Sequence, residues 1–178
     1  MKIREFEIDN DFDIIKDWIT DERTHAMWSA NHLIYPLDKD NLCKVLSEIK
    51  ELFGDKAFVA VTDEGSVVGF YCYSLNNTTN EGMLKFVVVS PQVRGKGVAG
   101  EMIKLALKEA FDNPNANAVH LNVFPENIRA KKFYEKIGFK ERRTDENAFM
   151  FKDEAWGRCN MVILKNSKTI RMESNRCF

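Results

Sequence analysis

The sequence predicts one α/β domain: a mixed, mostly antiparallel sheet of about seven strands, with a central strand–helix–strand crossover and helices on both faces. Three observations predict it. The chain has 178 residues, which suits a single domain. Its apolar residues switch between the two-residue period of strands and the 3.6-residue period of helices. Two strands joined by a helix, across residues 83–124, must form a parallel crossover.

The first half of the chain predicts a strand, two helices and a hairpin. Residues 3–8 alternate like a strand, and residues 11–19 place apolar side chains at helical spacing. A second helix begins near residue 38, capped by Asp38 or Asp40, and ends at Gly54 in a left-handed turn. Its apolar stripe is Leu42, Val45, Leu46, Ile49, Leu52 and Phe53. The segments 57–62 and 67–75 flank a turn and predict an antiparallel hairpin.

The second half predicts the crossover and the remaining strands. The valine-rich segment 83–90 predicts a strand covered on both faces, hence a central one. An amphipathic helix follows at 98–111, then a strand at 118–124 and a short helix at 127–137 closed by Gly138. Residues 139–145 and 158–164 predict the last two strands. The domain therefore covers residues 1–165, and residues 166–178 are expected to form a flexible tail.

Composition narrows the class of partner and the compartment. The 26 basic residues nearly cancel the 27 acidic ones, which argues against a nucleic-acid partner. No apolar run approaches the length of a membrane-spanning helix and the start does not resemble a signal peptide, so we expect a cytoplasmic protein without a membrane partner. The four cysteines lack metal-ligand spacing, which predicts no metal site and free, mostly buried thiols.

The turn PQVRGKGVAG, residues 91–100, is the first candidate site. Gly95 and Gly97 remove side chains where the amides of the next helix become free, and Arg94 and Lys96 add positive charge. A helix N-terminus with these features suits a pyrophosphate, although an ordinary turn has the same composition. Gly95, Gly97 and Gly100 also spell the GxGxxG pattern of NAD-type oxidoreductases. The preceding hairpins and the short remaining chain argue against that alternative.

A second motif narrows the choice. The segments QVRGKG, at 92–97, and NIRAKKFYEKIGF, at 127–139, together resemble the GCN5-related N-acetyltransferase (GNAT) superfamily, and the resemblance spans about residues 3–164. It implies an enzyme that transfers acetyl from acetyl-coenzyme A directly to a primary amine in a ternary complex. Backbone amides from about Val93 to Ala99 would hold the pyrophosphate, and a bulge would splay the central strand to pair with the pantetheine arm. The implied cofactor-binding residues are Val87, Val88, Val89, Gln92, Val93, Arg94, Gly95, Lys96, Gly97, Val98, Ala99, Asn127 and Tyr134.

The resemblance also implies catalytic residues. Tyr134 matches the tyrosine that protonates the departing thiolate, and a phenol keeps its proton at neutral pH; at this helical spacing a core position is the alternative. The family often places a glutamate near the central strand as the general base. Here the only candidate is Glu81, just ahead of that strand. The connection DERTHAMWSANHLIYP supplies the predicted acceptor-binding residues Glu22, His25, Trp28 and Tyr35, each of which is also compatible with an ordinary loop or packing role.

The acceptor stays open between two classes. The segments ERTHAMW and AFMFKDEAWGRCNMVIL resemble the branch that contains the ribosomal-protein N-terminal acetyltransferases. That branch also includes enzymes acting on small amines, so a small-molecule amine and a peptide N-terminus remain alternatives. A non-catalytic acyl-coenzyme A sensor is the alternative from another class. The protein is expected to be a monomer or a homodimer.

Overall fold

The computed structural model describes residues 1–165, so the prediction of a C-terminal tail lies outside the described residues. The sheet has seven strands in the order β1-β2-β3-β4-β5-β7-β6. The strands are β1 (Lys2–Glu5), β2 (Lys56–Val61), β3 (Val67–Asn76), β4 (Glu81–Val89), β5 (Ala118–Val123), β6 (Lys140–Phe151) and β7 (Glu154–Leu164). The helices are α1 (Ile8–Ile15), α2 (Glu22–Ser29), α3 (Lys39–Phe53), α4 (Val98–Asp112) and α5 (Ile128–Ile137).

Strand pairing confirms the predicted mixed sheet. β1 with β2, β2 with β3, β5 with β7 and β6 with β7 pair antiparallel. β4 and β5 pair in parallel, from Glu81 opposite Ala118 to Met83 opposite His120. The helix α4 connects these two strands and forms the predicted crossover, and β4 is the middle strand of the seven. No helix within residues 1–165 is long and apolar enough to cross a membrane.

The chain forms two compact units that share β4. The first contains Met1–Leu75 and Leu84–Glu109, and the second contains Asn76–Met83 and the chain from Ala110 onward. The second unit holds the β5, β7, β6 ladder and α5. Its aromatic side chains pack together around Trp156, which is 1% exposed and stacks on Phe151 with ring centroids 4.8 Å apart.

Helices cover both faces of the sheet in the first unit. On one face, α1 and α3 pack on a core that the alternate residues of β2 and β3 supply: Val59, Val61, Phe70 and Cys72. On the other face, a Cβ built on Gly69 would lie 2.4 Å from the Sδ atom of Met102 in α4 and 3.4 Å from Ala60 Cβ. Gly69 therefore has no side chain because α4 packs directly on the strand at that point.

Three local expectations were wrong. The connection 20–37 contains the helix α2, capped by the Asp21 carboxylate, which accepts from the Thr24 amide at 2.8 Å. α1 begins at Ile8, earlier than predicted, because acidic residues occupy its first turn. In the apolar stripe of α3, Leu52 and Phe53 are 72% and 59% exposed, since they lie in the last turn beyond the core. Asp38 and Gly54 cap α3 as predicted.

Candidate active site

The turn after β4 presents a row of free backbone amides. A short 3-10 turn, Pro91–Val93, leads into Gly95 and Gly97, whose φ angles are 81° and 85°. That left-handed conformation favours glycine, and no atom lies within 4 Å of a Cβ built on either residue. The loop is exposed, and α4 begins directly after it at Val98. The chain thus offers an open concave backbone segment at a helix N-terminus.

Hydrogen bonds inside the loop decide which amides remain free. The amides of Val93, Arg94 and Lys96 donate to Ser90, Pro91 and Val93 carbonyls at 3.1, 3.3 and 3.2 Å. The amides of Gly95, Gly97, Val98 and Ala99 have no acceptor among the described residues. Free N–H groups and the positive end of the α4 dipole favour a multiply charged anion such as a diphosphate. This donor set therefore fits the pyrophosphate of coenzyme A.

The two cations of the loop have different surroundings. Both residues are exposed, and the Lys96 side chain makes no hydrogen bond with a described residue. The Arg94 guanidinium instead donates from Nη2 to the Trp18 carbonyl at 2.7 Å and from Nε to the Val89 carbonyl at 3.4 Å. The Arg94 side chain is thus bonded to the backbone of its own unit, a pattern that the motif alone did not reveal.

β4 carries a backbone irregularity next to the predicted pantetheine-binding residues. Phe86, directly before Val87, has a φ of 51°, and a left-handed residue inside a strand marks a bulge. Lys85 and Phe86 are consecutive, yet both lie on the α3 side: Phe86 belongs to the core there, and Lys85 Nζ lies 4.7 Å from the Phe53 ring centroid. The resemblance implied a bulge in this strand without giving its position, and the side chains of Val87, Val88 and Val89 are half-buried.

α2 brings two predicted acceptor-binding residues against β4. The His25 and Trp28 rings are one helical turn apart, with centroids 5.7 Å apart, and the Trp28 ring lies 6.0 Å from that of Phe86. The Tyr35 ring lies 5.4 Å from His25, and its hydroxyl donates to the Thr20 carbonyl at 2.7 Å. We call His25, Trp28, Tyr35 and Phe86 the aromatic cluster.

Two polar ring atoms of the aromatic cluster are buried without a partner. His25 Nε2 and Trp28 Nε1 make no hydrogen bond with any described residue. His25 Nδ1 lies 3.5 Å from the Ser29 hydroxyl, and burial lowers the pKa of the imidazole, which favours its neutral form. Buried polar atoms without partners are rare in proteins and mark places where a ligand or water completes the hydrogen bonding. Glu22, the fourth predicted residue, lies exposed in the first turn of α2.

The second unit holds Tyr134 and Asn127 on α5. Asn127 caps the helix by accepting from the Ala130 amide at 3.1 Å. The Tyr134 ring is buried and lies edge-on to Phe139, at 5.7 Å between centroids. Burial raises the pKa of its phenol far above the ordinary value, and the hydroxyl makes no hydrogen bond with a described residue. Tyr134 therefore holds a proton that has no acceptor within residues 1–165.

Glu81 is engaged in an ion pair at the start of β4. Arg142 donates to both carboxylate oxygens, at 2.9 and 3.0 Å. Both carboxylate oxygens of Glu81 are therefore occupied by Arg142, and neither is directed at an acceptor amine. The role of Glu81 as the general base stays a prediction that this geometry does not favour.

Comparison with known proteins gives a family match. The model of the acetyltransferase (GNAT) family matches residues 13–139. A spermine/spermidine N(1)-acetyltransferase of Bacillus subtilis (strain 168) is 26% identical over 132 residues, with 68% of this chain and 84% of that protein covered. A 5-NmdU N-acetyltransferase of Pseudomonas phage PaMx11 is 24% identical over 127 residues, with 71% and 86% covered.

A solved structure shares the fold. The spermidine N-acetyltransferase from Vibrio cholerae, in complex with CoA and spermine, superposes with a TM-score of 0.77 at 22% identity, with 92% of this chain and 95% of that chain covered. The family match spans more than half of the chain and favours an acetyltransferase over an NAD-type oxidoreductase. The protein is accordingly an enzyme that transfers acetyl from acetyl-coenzyme A to a primary amine. On this evidence the chain belongs to the acetyltransferase (GNAT) family.

Proposed function

We propose that the acceptor of this N-acetyltransferase is a small polyamine, a flexible chain that carries several primary or secondary amines. The observation that carries the proposal is the aromatic cluster with its two unpartnered ring atoms, His25 Nε2 and Trp28 Nε1. The aromatic faces attract an ammonium group by cation–π interaction, and the neutral imidazole nitrogen accepts a hydrogen bond from it. The relatives named for spermine and spermidine support the same class of acceptor.

The donor side of the site uses the loop amides. We assign the pyrophosphate to the free amides of Gly95, Gly97, Val98 and Ala99, with Lys96 as the exposed cation. The backbone of Val87–Val89 takes the pantetheine arm, and Gln92 and Asn127 keep the cofactor-side roles that the motifs imply. Because the amides are fixed by the loop and by α4, binding requires little rearrangement of the backbone.

The chemistry divides between two side chains. Acetyl-coenzyme A supplies a thioester whose carbonyl carbon the neutral amine nitrogen attacks and whose sulfur leaves. His25 accepts a hydrogen bond from the incoming amine and thereby orients the lone pair of the amine nitrogen toward the thioester carbonyl carbon. Tyr134 donates its phenolic proton to the leaving sulfur as the C–S bond breaks, and it recovers a proton from the amide nitrogen through solvent. Protons and charge then balance: the ammonium loses two protons, one to the thiol and one to water.

An amine panel tests the acceptor. Free thiol and acetylated product are measured for a triamine, a diamine, a monoamine of equal length and a short peptide with a free N-terminus. We expect kcat/KM for the triamine to exceed that of the monoamine by about tenfold or more, because a second ammonium adds more than 1 kcal/mol of attraction. Preference for the peptide would overturn the polyamine assignment. Tight coenzyme A binding with no turnover of any amine would instead identify a non-catalytic sensor.

A further inference from the structure

Arg94 joins the donor loop to the segment that precedes α2. Its peptide unit lies directly before Gly95, whose amide is one of the free donors. Its guanidinium donates to the carbonyl of Trp18, 76 residues away in the chain, at 2.7 Å. The longer contact to the Val89 carbonyl, at 3.4 Å, keeps the same side chain next to the end of β4. The planar guanidinium is suited to hold two acceptors in a fixed relative position.

The segment that receives this bond is itself fixed at both ends. The Trp18 side chain is 7% exposed and packs in the core with Phe12 and Ile15 of α1. Three residues later, Asp21 caps α2. Hydrogen bonds from Thr24 are the main cause of the lowered pKa of Asp21, and the positive charge of Arg94 contributes to it. The Arg94 guanidinium therefore interacts both with the Trp18 carbonyl and with the Asp21 carboxylate that caps α2.

We propose that Arg94 is a positioning residue that couples occupation of the donor loop by coenzyme A to the placement of α2. A diphosphate on the amides of Gly95 and its neighbours fixes the backbone that carries Arg94. The guanidinium then fixes Trp18 and the N-terminus of the helix that bears His25 and Trp28. Coupling between two ligands is reciprocal, so amine binding in turn strengthens coenzyme A binding. The part about amine binding rests on the proposed function, whereas the coupling to α2 does not.

Hydrogen exchange of the α2 amides tests the coupling without any acceptor. The whole protein is compared with and without saturating coenzyme A, for the wild type, Arg94→Gln and Arg94→Lys. We expect coenzyme A to slow exchange across Glu22–Ser29 by about tenfold in the wild type, the size of a typical coupling. Arg94→Gln should abolish this slowing and, because the coupling is reciprocal, weaken coenzyme A binding in calorimetry by no more than the same factor of about ten. Arg94→Lys should retain part of it, because one ammonium donor still reaches the Trp18 carbonyl.

The matched control is Lys96→Gln, which removes the other cation of the loop. The Lys96 side chain is exposed and makes no hydrogen bond or ion pair with a described residue, so this variant should weaken coenzyme A binding and still show slowed α2 exchange once the loop is saturated. With an active amine, Arg94→Gln should raise the amine KM about tenfold with a smaller change in kcat.

Two results would overturn the coupling. One is that coenzyme A slows hydrogen exchange of the α2 amides in Arg94→Gln as much as it does in the wild type. The other is a loss of coenzyme A affinity in Arg94→Gln that far exceeds about tenfold, which would make Arg94 a direct phosphate ligand. If Arg94→Gln does not fold, the folded Arg94→Lys and Lys96→Gln proteins decide the matter. The proposal expects reduced slowing of α2 exchange in Arg94→Lys and full wild-type slowing in Lys96→Gln. Full slowing in both proteins, or in neither, would overturn it. Absent turnover of every amine, with the exchange results as expected, would refute the acceptor proposal alone.

Discussion

Replacing Tyr134 by phenylalanine removes one oxygen and leaves the packing of α5 intact. The ring is buried against Phe139, and its hydroxyl has no hydrogen-bond partner among the described residues. Deleting it therefore orphans no buried group, and the free energy of unfolding should change by less than about 0.5 kcal/mol. For a domain of this size that is a shift in Tm of at most about 2 °C. The fold thus provides an internal control for the chemical effect.

The chemical effect should be large. A positioned general acid contributes about 100- to 10,000-fold to a rate, or about 3–5 kcal/mol in the activation free energy. We expect kcat for Tyr134→Phe to fall within that range, while the coenzyme A Kd stays within about threefold, because the phenol acts on the leaving sulfur in the transition state and not on the ground state. Burial raises the pKa of the Tyr134 phenol, so loss of the acid by ionisation should not limit the wild-type rate as the pH rises to about 10.

The assay must isolate the acetyl-transfer step. Single-turnover mixing of enzyme in excess over acetyl-coenzyme A, with quenched product measured by mass, reports the chemical step free of product release. Steady-state thiol release is then compared with it. A single-turnover rate in Tyr134→Phe equal to that of the wild type would refute the acid role and leave Tyr134 as a core residue.

Three further predictions concern the loop and two ion pairs. Gly97→Asp should abolish coenzyme A binding in calorimetry, because it adds a negative charge beside the free amides and a side chain at a position with left-handed backbone. Unchanged affinity would remove the site from this loop. Burial raises the pKa of Asp11, but hydrogen bonds from Arg4 and the Glu7 amide outweigh it and hold the pKa below the ordinary value. Asp11→Asn should therefore cost about 1–3 kcal/mol of unfolding free energy near pH 7, and the difference should shrink as the pH falls below about 4; a difference independent of pH in urea titrations contradicts this. Lys85→Met leaves the Asp55 carboxylate, 1% exposed, without its cation and should cost about 3–5 kcal/mol, most of it recovered by adding Asp55→Leu; wild-type stability of the single variant would refute the ion-pair argument.

The elements of the fold that the sequence predicts well are those that depend on neighbouring residues in the chain. Asp38 and Gly54 delimit α3 because a carboxylate cap and a left-handed glycine are local requirements. The valine-rich β4 and the amphipathic α4 follow from periodicity. α2 was missed because its sequence, ERTHAMWS, has few apolar residues at helical spacing, although the Asp21 cap was a visible signal. The helix depends on tertiary contacts of the buried residues His25 and Ala26, which the periodicity of the sequence does not predict.

The candidate site was predictable to a similar degree. Gly95 and Gly97 point to free amides because residues without side chains leave the backbone N–H groups of a helix N-terminus uncovered. Which amides are free is a different matter, since Val93, Arg94 and Lys96 use theirs inside the loop. Long-range bonds such as Arg94 to the Trp18 carbonyl carry no sequence signal, because every residue has a carbonyl. The ion pair of Glu81 with Arg142 is equally invisible in one sequence without the strand register.

The bulge at Phe86 makes β4 sensitive to length more than to composition. Both the side-chain direction and the edge to which each N–H points reverse with every residue along a strand. One additional residue at Phe86 therefore decides toward which neighbour the amides of Val87 and Val89 are directed. Phe86→Gly would relieve the left-handed backbone and preserve that direction, whereas deleting Phe86 would reverse it for the rest of the strand. Libraries that vary this enzyme should accordingly keep the residue count of β4 constant.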